Sequence, residues 1–190
     1  MPSPEILTRY HELSAFCDAF FACVRTHCAA GMQCGPGCSA CCTLKTVSPI
    51  EAAVIADYLR GHPLKAKPPD DGAASCAFLL SGLCAIYPAR PIICRTQGLP
   101  LRYDGADAIA CCDLNFTDAA IGEEYILDAS KIAENLMRLN LAYCLARGDE
   151  RNAGCRIKLR ELRDATGDHR QSQRKGQAIG LPRSPAAASR

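Results

Sequence analysis

The sequence predicts the α+β class: a small helical domain around an irregular, cysteine-rich centre with short β-hairpins. Three observations lead to this prediction. Segments with helical hydrophobic spacing lie toward both ends of the chain, short turn-separated strands lie between them, and cysteines crowd the region around those strands. With 190 residues, of which 48% are hydrophobic, the chain is long enough to enclose a hydrophobic core.

The first predicted helix spans about residues 4–30. Ser3 suits its N-cap, Pro4 suits the first helical position, and Gly31 suits the exit. The apolar side chains recur at helical spacing, which predicts one buried stripe. That stripe consists of Ile6, Tyr10, Leu13, Cys17, Phe20 and Val24.

Two further helices have recognisable starts. In "SPIEAAVIADYLRG", Ser48 and Glu51 form a capping-box pattern, which predicts a helix over about residues 49–60. Asp128 is a favourable N-cap for a helix over about residues 129–147. The inner stripe of this last helix is expected to consist of Ile132, Leu136, Leu139 and Tyr143.

Two hairpins are predicted between these two helices. "CAFLLSGLCAIY" has two apolar runs that flank Ser81-Gly82, and "LPLRYDGADAIACC" has two runs that flank Asp104-Gly105. Dipeptides of this type occupy the centre of two-residue hairpin turns because glycine accepts a positive φ. Between the hairpins, "PARPIICR" leaves room for one helical turn.

The abundance of cysteine is the most unusual property of the composition. Fourteen of the 190 residues are cysteine, a large excess for an ordinary domain. Glu5, Arg9 and Glu12 interrupt the N-terminal segment where a signal peptide would be apolar, and no apolar run is long enough for a membrane span. We therefore expect a cytoplasmic protein without a membrane contact, whose thiols stay reduced.

The cysteines divide by their position in the predicted elements. Five lie in helices or near them, where cysteine packs as a small hydrophobic side chain. These are Cys17, Cys23, Cys28, Cys144 and Cys155. Nine lie in loops and hairpins, where packing gives little gain, so we expect them to bind metal. These are Cys34, Cys38, Cys41, Cys42, Cys76, Cys84, Cys94, Cys111 and Cys112.

The opening stretch "CGPGCSACC" has the C-x3-C-x2-C-C spacing, with small residues in the gaps that let the backbone curl around an ion. A disulfide between Cys41 and Cys42 would be strained because the two residues are adjacent. Four thiolates around Zn²⁺ or a [4Fe–4S]²⁺ cluster leave a net negative charge. Arg90 and Arg95 bracket Cys94, and we expect them to support the ligands from a second shell, although a surface ion pair is the alternative.

"CGPGCSACC", "CAFLLSGLCAIYPARPIICRTQGLPL" and "CCDLNF" together resemble a cysteine-cluster family described as a zinc- or iron-chelating domain and labelled CxxCxxCC, or YkgJ-like. The family pattern has a multi-cysteine opening, another cysteine, a C-x-I-Y-x-x-R-P-x-x-C-R core and a late cysteine. The resemblance covers residues 34 to about 116 and implies chelation by eight cysteines. On this chain these are Cys34, Cys38, Cys41, Cys42, Cys76, Cys84, Cys94 and either Cys111 or Cys112.

Two other cysteine chemistries fit the sequence less well. The C-x3-C-x2-C spacing also occurs in radical S-adenosylmethionine enzymes, but Ala40 stands where those enzymes resemble one another in having an aromatic residue, and the chain is too short for their barrel. "CSAC", from Cys38 to Cys41, is a C-x-x-C pattern, yet the βαβ context of a thioredoxin-like site is missing from the predicted elements.

The metal itself stays open at this level. An all-cysteine set with a tight opening loop favours an Fe–S cluster, of the [4Fe–4S] type, and zinc is the alternative. The predicted function is metal or cluster binding, with electron transfer or support of a partner enzyme as its use. A structural zinc-binding interaction module without redox activity is the alternative function. An oxidoreductase component is conceivable, but no catalytic constellation is visible, and a protein partner is not identified by the sequence.

The C-terminal segment completes the predicted organisation. Residues 1–164 are expected to form a single cysteine-cluster domain with its core motif at 34–116, and a short basic helix is expected at about 153–164. Residues 165–190 lack periodicity and are expected to be a disordered basic tail. Nucleic-acid binding is not expected, because the basic residues have no aromatic stacking partners.

Overall fold

The computed structural model describes residues 4–35, 37–64, 75–117 and 121–165. Helices dominate these ranges, and the strands form three two-stranded sheets, so the predicted α+β class is confirmed. Nearly all of the segment 165–190, for which a disordered tail was predicted, lies outside the described residues.

Helix α1 (Pro4–His27) begins as predicted and ends slightly earlier than predicted, because residues Ala29–Gly31 form a separate 3-10 turn. Tyr10, Cys17 and Val24 are buried along one side, which confirms these three positions of the predicted stripe. The other apolar positions of the stripe are partly buried against the same core. The spacing of apolar residues thus sets which face of α1 packs inward.

Helix α2 (Pro49–Gly61) starts at the predicted capping box. The backbone amide and the hydroxyl of Ser48 both donate to Oε2 of Glu51, at 3.0 Å and 2.8 Å. Before the helix, strand β1 (Thr46–Val47) leads the chain into the core. The local sequence therefore specifies this helix start, because the cap satisfies amides that the first turn would leave unpaired.

The first predicted hairpin is confirmed. Strands β2 (Leu79–Leu80) and β3 (Leu83–Cys84) are antiparallel, with Leu80 opposite Leu83. Ser81 and Gly82 form the turn and both have positive φ, 50° and 78°. Positive φ at both central residues is the geometry of a type I′ turn, which matches the twist of the two strands.

The second predicted hairpin is only partly correct. Leu101 does pair with Ala110 across a turn that contains Gly105, through two backbone hydrogen bonds of 2.7 Å and 2.9 Å. This contact is a single bridge, however, and strand β4 (Leu101–Arg102) pairs in parallel with the distant strand β5 (Leu127–Asp128). The hairpin is thus limited to one bridge, because β4 forms a long-range pairing with β5 that buries Leu127 in the core.

Helix α3 (Ile92–Thr96) is the short helical turn expected in "PARPIICR". Helix α4 (Ala129–Leu145) starts where predicted, and the Asp128 carboxylate accepts the amide of Lys131 at 2.9 Å. Ile132 and Tyr143 of its predicted stripe are buried.

The predicted short helix at about 153–164 is wrong in its first half. Residues Ile157–Lys158 form strand β6, which pairs antiparallel with β1, and helix α5 occupies residues 159–165 of the described chain. The amide of Leu159 donates to the carbonyl of Lys45 at 2.9 Å and extends this pairing. A non-local partner strand therefore overrides the helical pattern at this point.

The helices pack against one another through two hydrophobic clusters. One joins α1, α3 and α4 and includes Tyr10, Cys17, Ile92 and Tyr143. The other joins α2, the β2–β3 hairpin and α5 around Phe78. Cysteine-bearing loops pack at the margins of both clusters, so the core positions the site. No helix in the described parts of the chain has the length and apolar character needed to span a membrane.

Candidate metal centre

The opening cysteine segment is a series of tight turns. The amide of Cys38 donates to the carbonyl of Gly35 at 3.1 Å, and the amide of Cys42 donates to that of Ser39 at 2.9 Å. Gly37 has a φ of 91°, in the left-handed region that glycine tolerates. Successive turns therefore fold the cysteines of this segment back toward one another.

The next cysteine segment joins the first through its backbone. The amide of Cys76 donates to the carbonyl of Cys42 at 2.7 Å. Cys84 is the register partner of Leu79 in the hairpin, and the amide of Leu79 donates to the carbonyl of Cys76 at 3.0 Å. The β2–β3 hairpin thus carries Cys84 to the end where Cys76 and Cys42 lie.

Cys94 lies on α3, and a buried carboxylate holds the start of that helix. Oε1 of Glu51 accepts the backbone amide of Ile92 at 3.1 Å, while its Oε2 accepts from Ser48. Glu51 is only 3% exposed. The carboxylate connects the starts of α2 and α3, and this connection fixes the position of Cys94 relative to the capping box. The local sequence pattern predicts only the capping role of Glu51.

Arg90 and Arg95 meet at one carboxylate on α1. Arg90 contacts Oδ1 of Asp18 at 2.5 Å, and Arg95 pairs with Oδ2 of the same residue. Arg95, at 7% exposure, also donates to the carbonyls of Arg90 at 3.0 Å and Pro88 at 2.9 Å. These bonds stabilise the backbone around α3. Asp18 was not identified from the sequence, because its partners lie more than seventy residues away.

A second-shell role for the two arginines stays a prediction. Burial raises the pKa of Cys84, whereas the amide of Ile86 and, more weakly, the Arg90 guanidinium oppose this rise. Arg90 also stacks on the ring of Tyr87, 4.0 Å from its centroid. Arg95 directs its hydrogen bonds to oxygen acceptors that shape the backbone. Of the two arginines, Arg90 is therefore the one whose positive charge acts on a candidate ligand, Cys84.

Four candidate ligands form what we call the inner group: Cys42, Cys76, Cys84 and Cys94. Burial raises the pKa of Cys94 to about 12, and the charges of the other three thiolates of the group add to the rise. Burial also raises the pKa of Cys42, with further increases from Cys76 and Cys84. These mutual effects indicate that the four thiols, which come from separate parts of the chain, lie within range of one another's charge.

The other five candidates form what we call the outer group: Cys34, Cys38, Cys41, Cys111 and Cys112. Cys41 is exposed, but partial desolvation of its thiol raises the pKa to about 11, and neighbouring thiolates, Cys34 and Cys38 among them, add to the rise. Burial raises the pKa of Cys111 as well, with increases from Cys112 and Cys34. The outer group adjoins the inner group because Cys41 and Cys42 are consecutive.

Asn115 organises the outer group. Its Nδ2 donates to Sγ of Cys34 at 3.2 Å and to the carbonyl of Gly98 at 2.7 Å, and its Oδ1 accepts the amide of Gln33 at 2.8 Å. Asn115 is 3% exposed. Burial raises the pKa of Cys34, and this hydrogen bond opposes the rise. Asn115 carries no local signal of this role beyond its place in the "CCDLNF" stretch of the resemblance.

Gly98 allows the Cys34 sulfur to approach the backbone. Its φ is 91°, and a Cβ at this position would lie 2.5 Å from Sγ of Cys34. The Cys111 thiol donates to the carbonyl of Gly98 at 3.7 Å. Either Cys111 or Cys112 could serve as the late ligand, because both lie beside Cys34.

The helical cysteines do not all behave as packing residues. Cys17 and Cys144 are buried in the core, as expected. Cys28 is half-buried, whereas Cys23 and Cys155 are exposed, so the prediction of a packing role is wrong for these last two. The wheel position of Cys23 on the flank of α1, and the position of Cys155 in a turn before β6, account for the difference.

The donor chemistry of the two groups suits a soft or borderline metal. Thiolates are the preferred ligands of zinc and of Fe–S clusters. Within the described ranges, no three side chains of Cys, His, Asp or Glu are already arranged to hold an ion. Metal binding here would therefore require side-chain rotation and loss of thiol protons, as is usual for sites that form together with their metal.

The arrangement defines the class of the domain: a metal-binding domain with cysteine thiolates as its candidate ligands. Residues 33–112 match the model of the CxxCxxCC family, described as "Putative zinc- or iron-chelating domain". The predicted resemblance to this family is therefore confirmed over residues 33–112. The matched range includes both the inner and the outer group. No curated protein and no solved structure matches the chain.

Proposed function

We propose that the two cysteine groups hold iron in Fe–S form and that the protein transfers electrons to or from a partner protein. The observation that supports this most is the inner group, in which four half-buried thiols from separate parts of the chain act on one another electrostatically. An all-thiolate set of four is the ligand set of a [4Fe–4S] cluster. The bound cluster would supply one-electron redox chemistry.

The surroundings of the inner group can offset part of the negative charge of such a site. The Lys45 side chain, held by the Ser75 carbonyl at 2.7 Å, opposes the rise that burial causes in the pKa of Cys76. Arg90 acts on Cys84 in the same sense. Partial compensation by cations is what a buried anionic cluster requires.

Exposed apolar residues at the rim of the inner group support the proposal that a protein partner binds there. Leu83 and Ile93 adjoin two of its cysteines in sequence and are 62% and 47% exposed, and Tyr87 nearby is 60% exposed. Large exposed apolar side chains beside a redox site are suited to a partner that must approach closely and exclude water. The partner is expected to present an apolar patch of its own.

Structural zinc is the competing function. Four thiolates are also a common ligand set for Zn²⁺, and the inner group would satisfy one such ion. The strands β2 and β3 beside the site are only two residues long. Segments with so little regular structure are typical of those that a structural metal stabilises. In that case the apolar rim would serve an interaction module without redox activity.

Anaerobic purification followed by metal analysis and absorption spectroscopy tests the proposal. Stoichiometric iron with broad absorption near about 400 nm, bleached by dithionite, is the expected result. A colourless protein with stoichiometric zinc and no iron would replace the proposal with the zinc alternative. Protein purified in air serves as the comparison, because oxygen degrades an Fe–S cluster that it can reach through half-buried thiolates but leaves zinc in place.

A further inference from the structure

Cys23 and His27, two side chains of the types that bind metals, lie next to each other outside the matched range 33–112. They lie one helical turn apart near the C-terminal end of α1, and both are exposed. Sγ of Cys23 lies 3.7 Å from Nδ1 of His27. Zinc–sulfur and zinc–nitrogen bonds at a tetrahedral angle place the two ligand atoms about 3.6 Å apart. The pair therefore already has nearly the spacing of two zinc ligands.

The ring of His27 is held in place by its neighbours. Tyr125, in the 3-10 turn Glu123–Tyr125, stacks on it with centroids 5.8 Å apart and an interplanar angle of 23°. Nδ1 of His27 also lies 2.9 Å from the carbonyl oxygen of Cys23. A constrained imidazole loses less conformational freedom when it binds a metal than a freely rotating one.

Two further donors lie beside the pair. Cys28 follows His27 directly, and Glu124 is adjacent to the stacked Tyr125. The Glu124 carboxylate folds over Gly122, where an added Cβ would lie 2.6 Å from Oε2. Burial raises the pKa of Cys28, and the charges of Glu124 and Cys23 add to this rise. All four donors thus lie in one small region of the surface.

We propose that Cys23 and His27, completed by Cys28 and Glu124, form a second site for a thiophilic divalent metal such as Zn²⁺. Binding converts the two thiols to thiolates and releases their protons to solvent. Nδ1 of His27 gives up its hydrogen bond to the Cys23 carbonyl, and the neutral imidazole binds the metal through Nδ1 with its proton on Nε2. The side chains of Cys28 and Glu124 rotate to close the site. The C-terminal end of α1 favours a cation because the helix dipole is negative there.

The site is independent of the proposed Fe–S function. Its donors lie in residues 23–28 and at Glu124, outside the matched range 33–112. It mixes thiolate, imidazole and carboxylate, which suits zinc better than an Fe–S cluster. The chain would then combine a cysteine-only centre with a surface zinc site at the end of α1.

The test counts zinc that remains bound after reduced protein is loaded with Zn²⁺ and desalted. Cys23→Ser and His27→Ala are each expected to lose about one zinc ion per chain relative to the unchanged protein. His62→Ala is the matched control, because His62 also contacts the carbonyl four residues earlier, at 3.0 Å, and stacks on a tyrosine, but has no cysteine beside it. Cys155→Ser controls for loss of an exposed thiol.

Zinc-dependent shifts of the His27 imidazole NMR signals provide a readout that does not depend on the other cysteines. In Cys94→Ser these shifts should persist, even though the cysteine-cluster site is damaged. Retention of all zinc in both Cys23→Ser and His27→Ala, with His27 signals unchanged by zinc, would overturn the proposal. Circular dichroism confirms that each variant is folded, which is expected because both side chains are exposed.

Discussion

The side-chain amide of Asn115 donates a hydrogen bond to Sγ of Cys34 across 3.2 Å, and so links the last segment of the metal centre to its first cysteine. The same amide binds the carbonyl of Gly98, and its oxygen accepts the amide of Gln33. One buried side chain thereby connects three segments. A metal bound to Cys34 would depend on this connection for its geometry, as metal sites depend on the groups that orient their ligands.

Asn115→Ala is expected to weaken the site and the fold. The change leaves the amide of Gln33 and the carbonyl of Gly98 without their partner, which costs about 1–3 kcal/mol of unfolding free energy. Loss of the hydrogen bond to sulfur should also speed metal release to a chelator and, for an Fe–S cluster, lower its reduction potential. Asn152→Ala is the control, since Asn152 is exposed. Equal release rates in the two variants would contradict a role for Asn115 at the site.

Gly98→Ala is expected to destabilise the protein more than Gly105→Ala. Both glycines have positive φ, 91° and 75°, so alanine costs roughly 1–2 kcal/mol of backbone strain at either position. Only at Gly98 does the new Cβ meet an atom of the site, 2.5 Å from Sγ of Cys34, whereas at Gly105 it meets nothing within 4 Å. Denaturant unfolding and metal content should both show the excess loss. Similar losses in the two variants would show that Cys34 moves aside without cost.

Asp18→Asn is expected to destabilise the fold by about 2 kcal/mol, because it leaves the buried Arg95 without its counter-charge. The 38% exposure of the Asp18 side chain keeps the loss below that of a fully buried pair. Asp57→Asn is the control, as Asp57 pairs with Arg60 at an exposed position and should cost less than about 1 kcal/mol. Thermal unfolding measures both, and equal shifts in melting temperature would argue against a structural role for Asp18.

Cys94→Ser is expected to reduce the bound metal per chain by about half or more, because it removes one ligand of the inner group. Cys144→Ser should leave the metal content unchanged, although Cys144 is also helical and is more deeply buried. Elemental analysis of protein prepared under the same conditions measures both. Comparable losses from the two variants would mean that Cys94 is not a metal ligand.

Stability is expected to fall at alkaline pH, in part through Cys17. Burial, with a further contribution from the Asp18 carboxylate, raises the pKa of the Cys17 thiol to about 11 in the folded protein. An unfolded cysteine has a pKa of about 8.5. The folded state therefore holds its proton longer, and the stability from this group is complete below about pH 8.5 and declines as the pH rises toward about 11. Unfolding free energies from pH 7 to 11 should fall less steeply for Cys17→Ala than for Cys155→Ala, and parallel curves would rule out this contribution.

Several features follow directly from local sequence patterns. The capping box of Ser48 and Glu51 and the turn at Ser81-Gly82 depend on residues within a few positions of one another, so they can be predicted without knowledge of the fold. The separation of loop cysteines from helical ones was equally local. It identified buried packing roles for Cys17 and Cys144 but failed for the exposed Cys23, because exposure depends on what covers a helix.

The sequence by itself determined the fold class, the starts of the long helices, the first hairpin and the cysteines of the family pattern, since each is encoded by residue type and spacing over short distances. Only the tertiary structure decided how the sulfurs divide into two groups and which residues support them. Asp18, Asn115 and the second role of Glu51 come from contacts across 41 to 81 residues. Such contacts form only when distant helices and loops pack together, and packing geometry is not expressed in any local pattern.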